Sequence, residues 1–257
     1  MDTIILGTGG LGRAAAAAFT ARGDAVRLIG RPEKGAHDPA TLAGAHVIVE
    51  ATRGHAVKGN VEAGLAAGCR RFVIGTTDWA ADRDAVQQAL VAAGATAVVA
   101  SNFSTGVVLF GRLVEAATRL FGPVPEFDPY LVEWHRRTKT DRPSGTARDL
   151  ANRILANHPR KTRISNGTGG QPAPDELEVL AVRAGANPGA HLVGFDAPGE
   201  TLEIKLSSRD RSAYAAGILA SADWLVRTPR APGIHAFDPV VVDELLASAD
   251  KPGGAGR

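Results

Sequence analysis

His135 and Lys139, with Ser144-Gly145-Thr146 just downstream, are the residues of this chain best suited to chemistry. An imidazole and an ammonium can each move a proton, and the ammonium is also a sink for developing negative charge. Around them stand Arg136, Arg137 and Arg142, guanidinium groups whose fork geometry matches a carboxylate. Pro143-Ser144-Gly145-Thr146 reads as a helix start with a hydroxyl N-cap, where unpaired backbone N–H groups favour an anion. Together these residues suit proton transfer on a small, carboxylate-bearing substrate. Singly, each has a plainer and commoner reading: a strand-end histidine satisfied by a neighbour, or a solvated loop lysine. Their co-occurrence in one short segment favours catalysis. A phosphate or nucleic-acid contact fits the basic run less well, because no aromatics are interleaved for base stacking.

The elements that must position these groups follow from patterning. Tyr130, Val132 and Trp134 alternate with Leu131, Glu133 and His135, so a strand delivers His135 on Glu133's face. Upstream, Val107 to Phe121 has apolar residues at helical spacing and is stopped by Pro123 and Pro125. Downstream, a helix to about Asn157 is followed by a loop rich in Gly, Thr and Pro from Asn166 to Pro174. Strand-like runs at Leu177–Arg183, Ala190–Phe195 and Glu200–Leu206 would join the His135 strand in a mixed or antiparallel sheet.

The first hundred residues read differently. Ile4-Ile5-Leu6 precedes Gly7-Thr8-Gly9-Gly10-Leu11-Gly12 and an alanine-rich helix former. In this GxGxxG arrangement Gly7 permits a tight turn, Gly9 lets a pyrophosphate approach, and Gly12 lets helix pack on strand. An ordinary strand-to-helix turn is the bland alternative; the placement favours a dinucleotide site. The strand Ala25–Ile29 ends at Gly30-Arg31, where an acidic residue would suit a ribose hydroxyl and an arginine suits a 2′-phosphate. NADPH is therefore the expected cofactor, with NADH as the alternative. Strands at His46–Thr52, Arg71–Thr77 and Ala95–Ala100 alternate with helices, one of them from Asp82 to Ala93. This argues α/β architecture with a parallel, doubly wound sheet through roughly residue 104. Gly75-Thr76-Thr77 and Ser101-Asn102-Phe103 lie at strand carboxyl ends, the edge where such sheets place ligands.

Further along, Ser212 to Val226 reads as an amphipathic helix returning to the first domain, Thr228 to Pro239 as a proline-punctuated linker, Val240 to Ala247 as a short helix, and Lys251 to Arg257 as a disordered tail. The expected division is 1–104 for the dinucleotide domain, 105–211 for the substrate domain, and 212–257 for the returning helix and tail. With 29 basic against 27 acidic residues, the chain has no field to gather nucleic acid or an acidic membrane. Cys69 is the only cysteine, which excludes an intramolecular disulfide and fits a reducing compartment. Neither a signal peptide nor a spanning segment is legible, so the cytoplasm is expected. Histidines 37, 46, 55, 158, 191 and 235 show no ligand spacing, and no metal is expected.

With these motifs in view, the chain resembles the dihydrodipicolinate reductase family over nearly its whole length. The resemblance rests on the glycine-rich turn, Thr52-Arg53, Gly75-Thr76-Thr77, Ser101-Asn102-Phe103-Ser104, the run from Glu133 through His135, Lys139, Asp141 and Pro143 to Ala147, Arg183-x-Gly185, Pro188-Gly189-x-His191, and Arg211 before Tyr214-Ala215-x-Gly217. It implies a Rossmann-type doubly wound domain, a second α+β substrate domain on a mixed sheet, and usually a homotetramer. It implies reduction of 4-hydroxy-tetrahydrodipicolinate, a cyclic imino dicarboxylate of lysine and diaminopimelate biosynthesis. His135 and Lys139 match the proton-transfer pair; Arg136, Ser144, Gly145 and Thr146 match substrate positions. Gly7, Thr8, Gly9, Gly10, Leu11, Gly12, Arg31, Arg53, Gly75, Thr76, Thr77, Ala100, Ser101, Asn102 and Phe103 match cofactor positions. Three departures stand out: Arg136 where the family commonly has a second histidine, Leu206 where it often has histidine, and the segment from Pro229 to Asp243. A paralogue reducing another cyclic imine or enamine acid, or a non-catalytic dinucleotide-binding sensor, is the alternative. A sensor would not need both His135 and Lys139.

Overall fold

The computed structural model of the chain describes residues 1–32, 37–165, 170–227 and 229–240. Short Ile/Val/Leu runs become strands and alanine-rich runs become helices, in the order β1 (Asp2–Leu6), α1 (Gly10–Ala21), β2 (Ala25–Ile29), α2 (Pro39–Leu42), β3 (Val47–Glu50), α3 (Val57–Ala66), β4 (Arg71–Ile74), α4 (Arg83–Ala92) and β5 (Thr96–Val99). Every residue of β3 is buried, the mark of an interior strand in a parallel sheet covered on both faces. Ile4, Leu6, Ile48, Phe72 and Ile74 meet Val61 and Leu90 in one apolar cluster. The strands end before Thr52, Thr76 and Thr77, which leaves these hydroxyls in the loops at the sheet's carboxyl edge.

The second unit, Gly106–Asp210, has its own core. It takes in most of α5 (Thr105–Phe121), then β6 (Asp128–His135), α6 (Gly145–Asn157), β7 (Arg163–Ile164), β8 (Glu176–Arg183), β9 (Gly189–Ala197) and β10 (Glu200–Ser208). The strand order is β10-β9-β6-β8-β7, with β6 parallel to β8 and antiparallel to β9, so the sheet is mixed. Leu131, Leu177, Val193 and Phe195 pack against Phe110 and Val114 of α5 and Leu150 and Ile154 of α6. Along β6 the alternation is clean: Leu131, Glu133 and His135 are buried, while Tyr130, Val132 and Trp134 are not.

The chain then returns to the first unit, which joins Met1–Thr105 to the described residues from Arg211 to Val240. α7 (Ser212–Arg227) packs on α1 and β4, close enough that a Cβ on Gly217 would lie 1.8 Å from the Phe103 carbonyl oxygen. The linker expected at Thr228–Pro239 is corrected here: Gly233–Ala236 forms β11, parallel to β5, with Gly233 opposite Thr96 and Ala236 opposite Val99. The first sheet is thus all parallel in the order β11-β5-β4-β3-β1-β2. Pro232 and Pro239 bracket β11 rather than interrupt it, so no ladder N–H is lost, and Gln87 accepts from the Ile234 amide at 2.7 Å. Phe237 follows and is buried, its ring centroid 4.9 Å from that of Phe103. Phe237→Ala should cost about 3–5 kcal/mol, read as a lower Tm in thermal unfolding; an unchanged Tm would show that β11 does not anchor this edge. The short helix expected to run to Ala247 and the tail at Lys251–Arg257 fall at residues 241–257, outside the described residues. Among the described residues no helix is long and apolar enough to cross a membrane.

Candidate active site

In the second unit β6 presents Glu133 and His135 on its buried face, and the neighbouring strands supply their partners. His191 stands opposite Glu133 in β9, and Arg183 stands beside His135 in β8. Glu133 is fully buried. Its Oε1 accepts from Arg183 Nη2 at 2.6 Å and from the Ser144 amide at 2.9 Å. Its Oε2 lies 3.3 Å from His135 Nε2 and 3.6 Å from His191 Nε2. Arg183 also donates to the Asp141 carbonyl at 2.5 Å, so one guanidinium ties the carboxylate to the loop after β6. A buried carboxylate left alone would be costly, and these donors offset its desolvation. Burial by itself would raise the pKa of Glu133; hydrogen bonds from His191, Ser144 and Arg183 instead hold it well below the usual carboxylate range. Burial pushes the His135 imidazole below its ordinary value, opposed by the Glu133 charge and the Pro188 carbonyl and aided by His191 and Lys139.

Lys139 sits one turn beyond, its amide bonded to the Arg136 carbonyl at 3.1 Å and its ammonium 2.7 Å from Asp141 Oδ1. That ammonium holds the Asp141 carboxyl below its usual value. Ser144 caps α6, its Oγ accepting from the Ala147 amide at 3.1 Å. With its hydroxyl in the cap and its amide on Glu133, Ser144 fixes the direction of the Gly145–Thr146 turn. Gly145, the first residue of α6, is exposed, and a Cβ there would meet nothing within 4 Å. Arg136 and Arg137 are exposed. The ligating atoms of Glu133, His135 and His191 lie within 4.8 Å of one another, a spacing a metal ion could bridge. Arg183 already supplies a positive charge at this carboxylate. Sequence spacing could not find this cluster, because His191 reaches it only through strand register.

In the first unit a cavity of about 700 Å³ opens at the carboxyl ends of the strands, lined by Gly7, Thr8, Gly9, Arg31, Thr52, Arg53, Asn60 and neighbours. Gly7 has φ +110°, and a Cβ there would lie 2.3 Å from the Ala51 carbonyl oxygen. A Cβ on Gly12 would lie 1.8 Å from the Gly7 oxygen, whereas one on Gly9 would meet nothing within 4 Å. Gly9, which lines the opening, is the N-cap of α1 and makes no side-chain cap bond. This cradle fits a dinucleotide phosphate. Arg31 and Arg53 reach the same cavity from the ends of β2 and β3.

Gly10, Leu11, Gly12, Gly75–Thr77 and Ala100–Phe103 do not line that cavity. Gly75 packs under Leu11 and Phe103; Thr76 is buried and donates to the Glu50 carboxylate; Thr77 is exposed and bonds Asp78 at 3.1 Å. Ser101 is exposed and Ala100 half-buried. Asn102 Oδ1 accepts from the Ser104 amide at 2.8 Å, and the Phe103 ring is buried against Phe237. Glu50, fully buried, gathers Thr52, Thr76 and the Asn60 amide at 2.9 Å, a network beneath the cavity that the sequence reading missed.

Comparison with known proteins bears on this site. The family model described as "Dihydrodipicolinate reductase, C-terminus" matches residues 106–240. The 4-hydroxy-tetrahydrodipicolinate reductase of Methanoregula boonei is 31% identical over 195 residues, 76% of this chain and 74% of the relative. That of Methanococcoides burtonii is 31% identical over 197 residues, 76% and 73%. Among solved structures, a dipicolinate-bound dihydrodipicolinate reductase from Paenisporosarcina sp. TG-14 superposes with TM-score 0.72 at 19% identity, covering 92% of this chain and 97% of that one. The chain is an oxidoreductase built on a Rossmann-type sheet with a second, mixed-sheet unit. It belongs to the dihydrodipicolinate reductase family.

Proposed function

We propose that the protein is an NADPH-dependent reductase of 4-hydroxy-tetrahydrodipicolinate, acting in the lysine and diaminopimelate route. The observation that carries this reading is the placing, within one unit, of His135 and the Ser144 cap of α6 against Glu133, with Lys139 paired to Asp141 in the loop between them. Support comes from the relatives, which bear that reductase's name, and from the similar Paenisporosarcina structure, which holds dipicolinate. The cofactor would be held by Gly7–Gly12 at its pyrophosphate, by Arg31 and Arg53 at the adenosine phosphate, and by the loops at Gly75–Thr77 and Ala100–Phe103. When bound, a reduced nicotinamide supplies hydride to C4 of the dehydrated ring. The chain's own residues meet the remaining demands. The amides of Gly145 and Thr146, with Arg136, hold the ring carboxylates; Lys139 offsets the electron density left by reduction and gives a proton at the neighbouring carbon, with His135 assisting. Ser144 orients those amides. A homotetramer has its support in the outward face of the second sheet, where Trp134 is 45% and Leu180 54% exposed.

The deciding experiment measures NADPH oxidation while the preceding synthase generates substrate in place, with pyridine-2,6-dicarboxylate as competitive probe. Turnover inhibited by the probe supports the reading. Cofactor binding with no oxidation across cyclic imino acids would reject it in favour of a sensor, and turnover only with another ring would identify a paralogue. Arg31→Ala should raise KM for NADPH about tenfold and leave KM for NADH unchanged, since one exposed charge-assisted contact is worth roughly 1.4 kcal/mol. Equal effects on both cofactors would remove Arg31 from the 2′-phosphate.

A further inference from the structure

Glu50 ends β3 on a carboxylate after three apolar residues, and it is fully buried. Val47, Ile48 and Val49 need no polar partner, so position 50 carries a desolvation cost that its neighbours in the strand do not. Oε1 accepts from the Thr52 hydroxyl, from the Asn60 side-chain amide at 2.9 Å and from the Thr52 backbone N–H at 3.3 Å, while Oε2 accepts from the Thr76 hydroxyl. Each of these donors is neutral. Asn60 on α3 also donates to the Thr52 hydroxyl at 3.3 Å, which closes a ring of bonds with the carboxylate. The donors answer to two different loops. Thr52 leads into Arg53, and Thr52, Arg53 and Asn60 line the cavity; Thr76 belongs to the Gly75–Thr77 loop after β4, is buried and lines no part of it. Backbone contacts join the same two loops: the Gly75 amide donates to the Glu50 carbonyl at 2.9 Å, and a Cβ on Gly54 would lie 2.1 Å from the Asp78 carbonyl oxygen. Asp78 has φ +63°, left-handed backbone uncommon outside glycine, at the point where Gly54 packs on it. Gly7 closes from the other side, a Cβ there 2.3 Å from the Ala51 carbonyl oxygen and 3.2 Å from the Thr52 nitrogen.

We propose that Glu50 is a positioning residue of the cofactor site: its carboxylate fixes the Thr52-Arg53 loop against the Gly75–Thr77 loop, so that the segments assigned to the adenosine phosphate and to the nicotinamide keep one register. Which loop takes which end of the dinucleotide rests on the reductase reading; the tie between the loops does not. Glu50 lies beneath the cavity and acts through Thr52 and Thr76. Apolar packing could also join two loops, but it lets them slide, whereas a carboxylate with a donor from each loop fixes both a distance and a direction. Hydride transfer needs that precision, because a displacement of about 1 Å between reacting atoms is enough to slow it severely.

The test severs one tie at a time in the full chain and reads kcat, Tm and two dissociation constants, for NADPH and for adenosine 2′,5′-bisphosphate, which carries the adenosine end alone. Thr76→Val keeps the shape of the side chain and removes only the bond to Oε2. It should leave the Kd for the bisphosphate at the wild-type value, raise that for NADPH and lower kcat about tenfold. Glu50→Met keeps the length and loses both ties, and should also weaken the bisphosphate about tenfold. Glu50→Gln still accepts from Thr52 and Asn60 and offers Thr76 an N–H that its hydroxyl can accept, so kcat and both Kd values should stay within about twofold of wild type. A role confined to stability would lower Tm in Thr76→Val and leave kcat in place. That result, a loss of bisphosphate affinity in Thr76→Val matching its fall in kcat, or a Glu50→Gln variant as impaired as Glu50→Met would each overturn the proposal. If Glu50→Met does not fold, Thr76→Val and Glu50→Gln decide. If the wild type binds both ligands and oxidises no NADPH, the reductase reading fails while the two Kd values in Thr76→Val still judge the tie; a wild type that binds neither ligand would sink both.

Discussion

Lys139→Ala lowers kcat by about 10²–10⁴-fold while the Kd for NADPH stays at the wild-type value, if the ammonium supplies the proton in reduction. The size follows from what is lost: a positioned general acid and the charge that offsets the electron density of the reduced ring. Nothing comparable is lost from the fold. Lys139 is partly exposed and pairs with Asp141 at 2.7 Å, a surface ion pair worth roughly 0–1 kcal/mol. Lys139 lines no part of the glycine-rich cavity, so cofactor affinity has no reason to move. Lys139→Arg is the sharper companion, because it keeps the charge while replacing the ammonium with a guanidinium, a far weaker proton donor. A large loss in both variants assigns proton transfer to Lys139; a loss in alanine alone assigns only charge. A parallel fall in kcat and NADPH affinity in Lys139→Ala would mean a general structural defect.

The second large effect separates the two kinds of glycine at the start of α1. Gly12→Ala should weaken NADPH binding by about 10²-fold, roughly 2.7 kcal/mol, and should also lower Tm. The Cβ would lie 1.8 Å from the Gly7 oxygen, backbone against backbone, and only a shift of the first turn of α1 relieves it. Gly9→Ala should leave Tm unchanged, because its φ of −72° suits alanine and a Cβ there meets nothing within 4 Å. It should nevertheless weaken NADPH binding, since the methyl fills the space assigned to the pyrophosphate. Isothermal titration of NADPH with thermal unfolding of both variants checks the pair. Wild-type affinity in Gly9→Ala would place the phosphate elsewhere.

What could be read from the sequence was local. Gly7 needs a positive φ and Gly12 a close approach, and both demands are met within a few residues of the glycine itself. The period of two along β6 put His135 on Glu133's face, and Ser144 could be read as a cap because an N-cap bond closes over three residues. Phe103 shows where such reading stops. Its motif places it at a strand's carboxyl end, but the ring's neighbour Phe237, brought in by β11, is visible only in the fold. β11 itself was hidden because a four-residue strand between prolines looks like a linker until β5 offers it a free edge. The seat of Glu133 is the fullest case. Arg183, His191 and Ser144 reach one carboxylate through parallel register on one side, antiparallel register on the other and a helix cap below, and a slip of one residue in either ladder would turn them to the opposite face. Residue types and local periods thus determined which groups were available and which way each would point along its own element. Which charges share a site was decided only by strand pairing, because a buried carboxylate is set by its neighbours in space and those come from strands far apart in the chain.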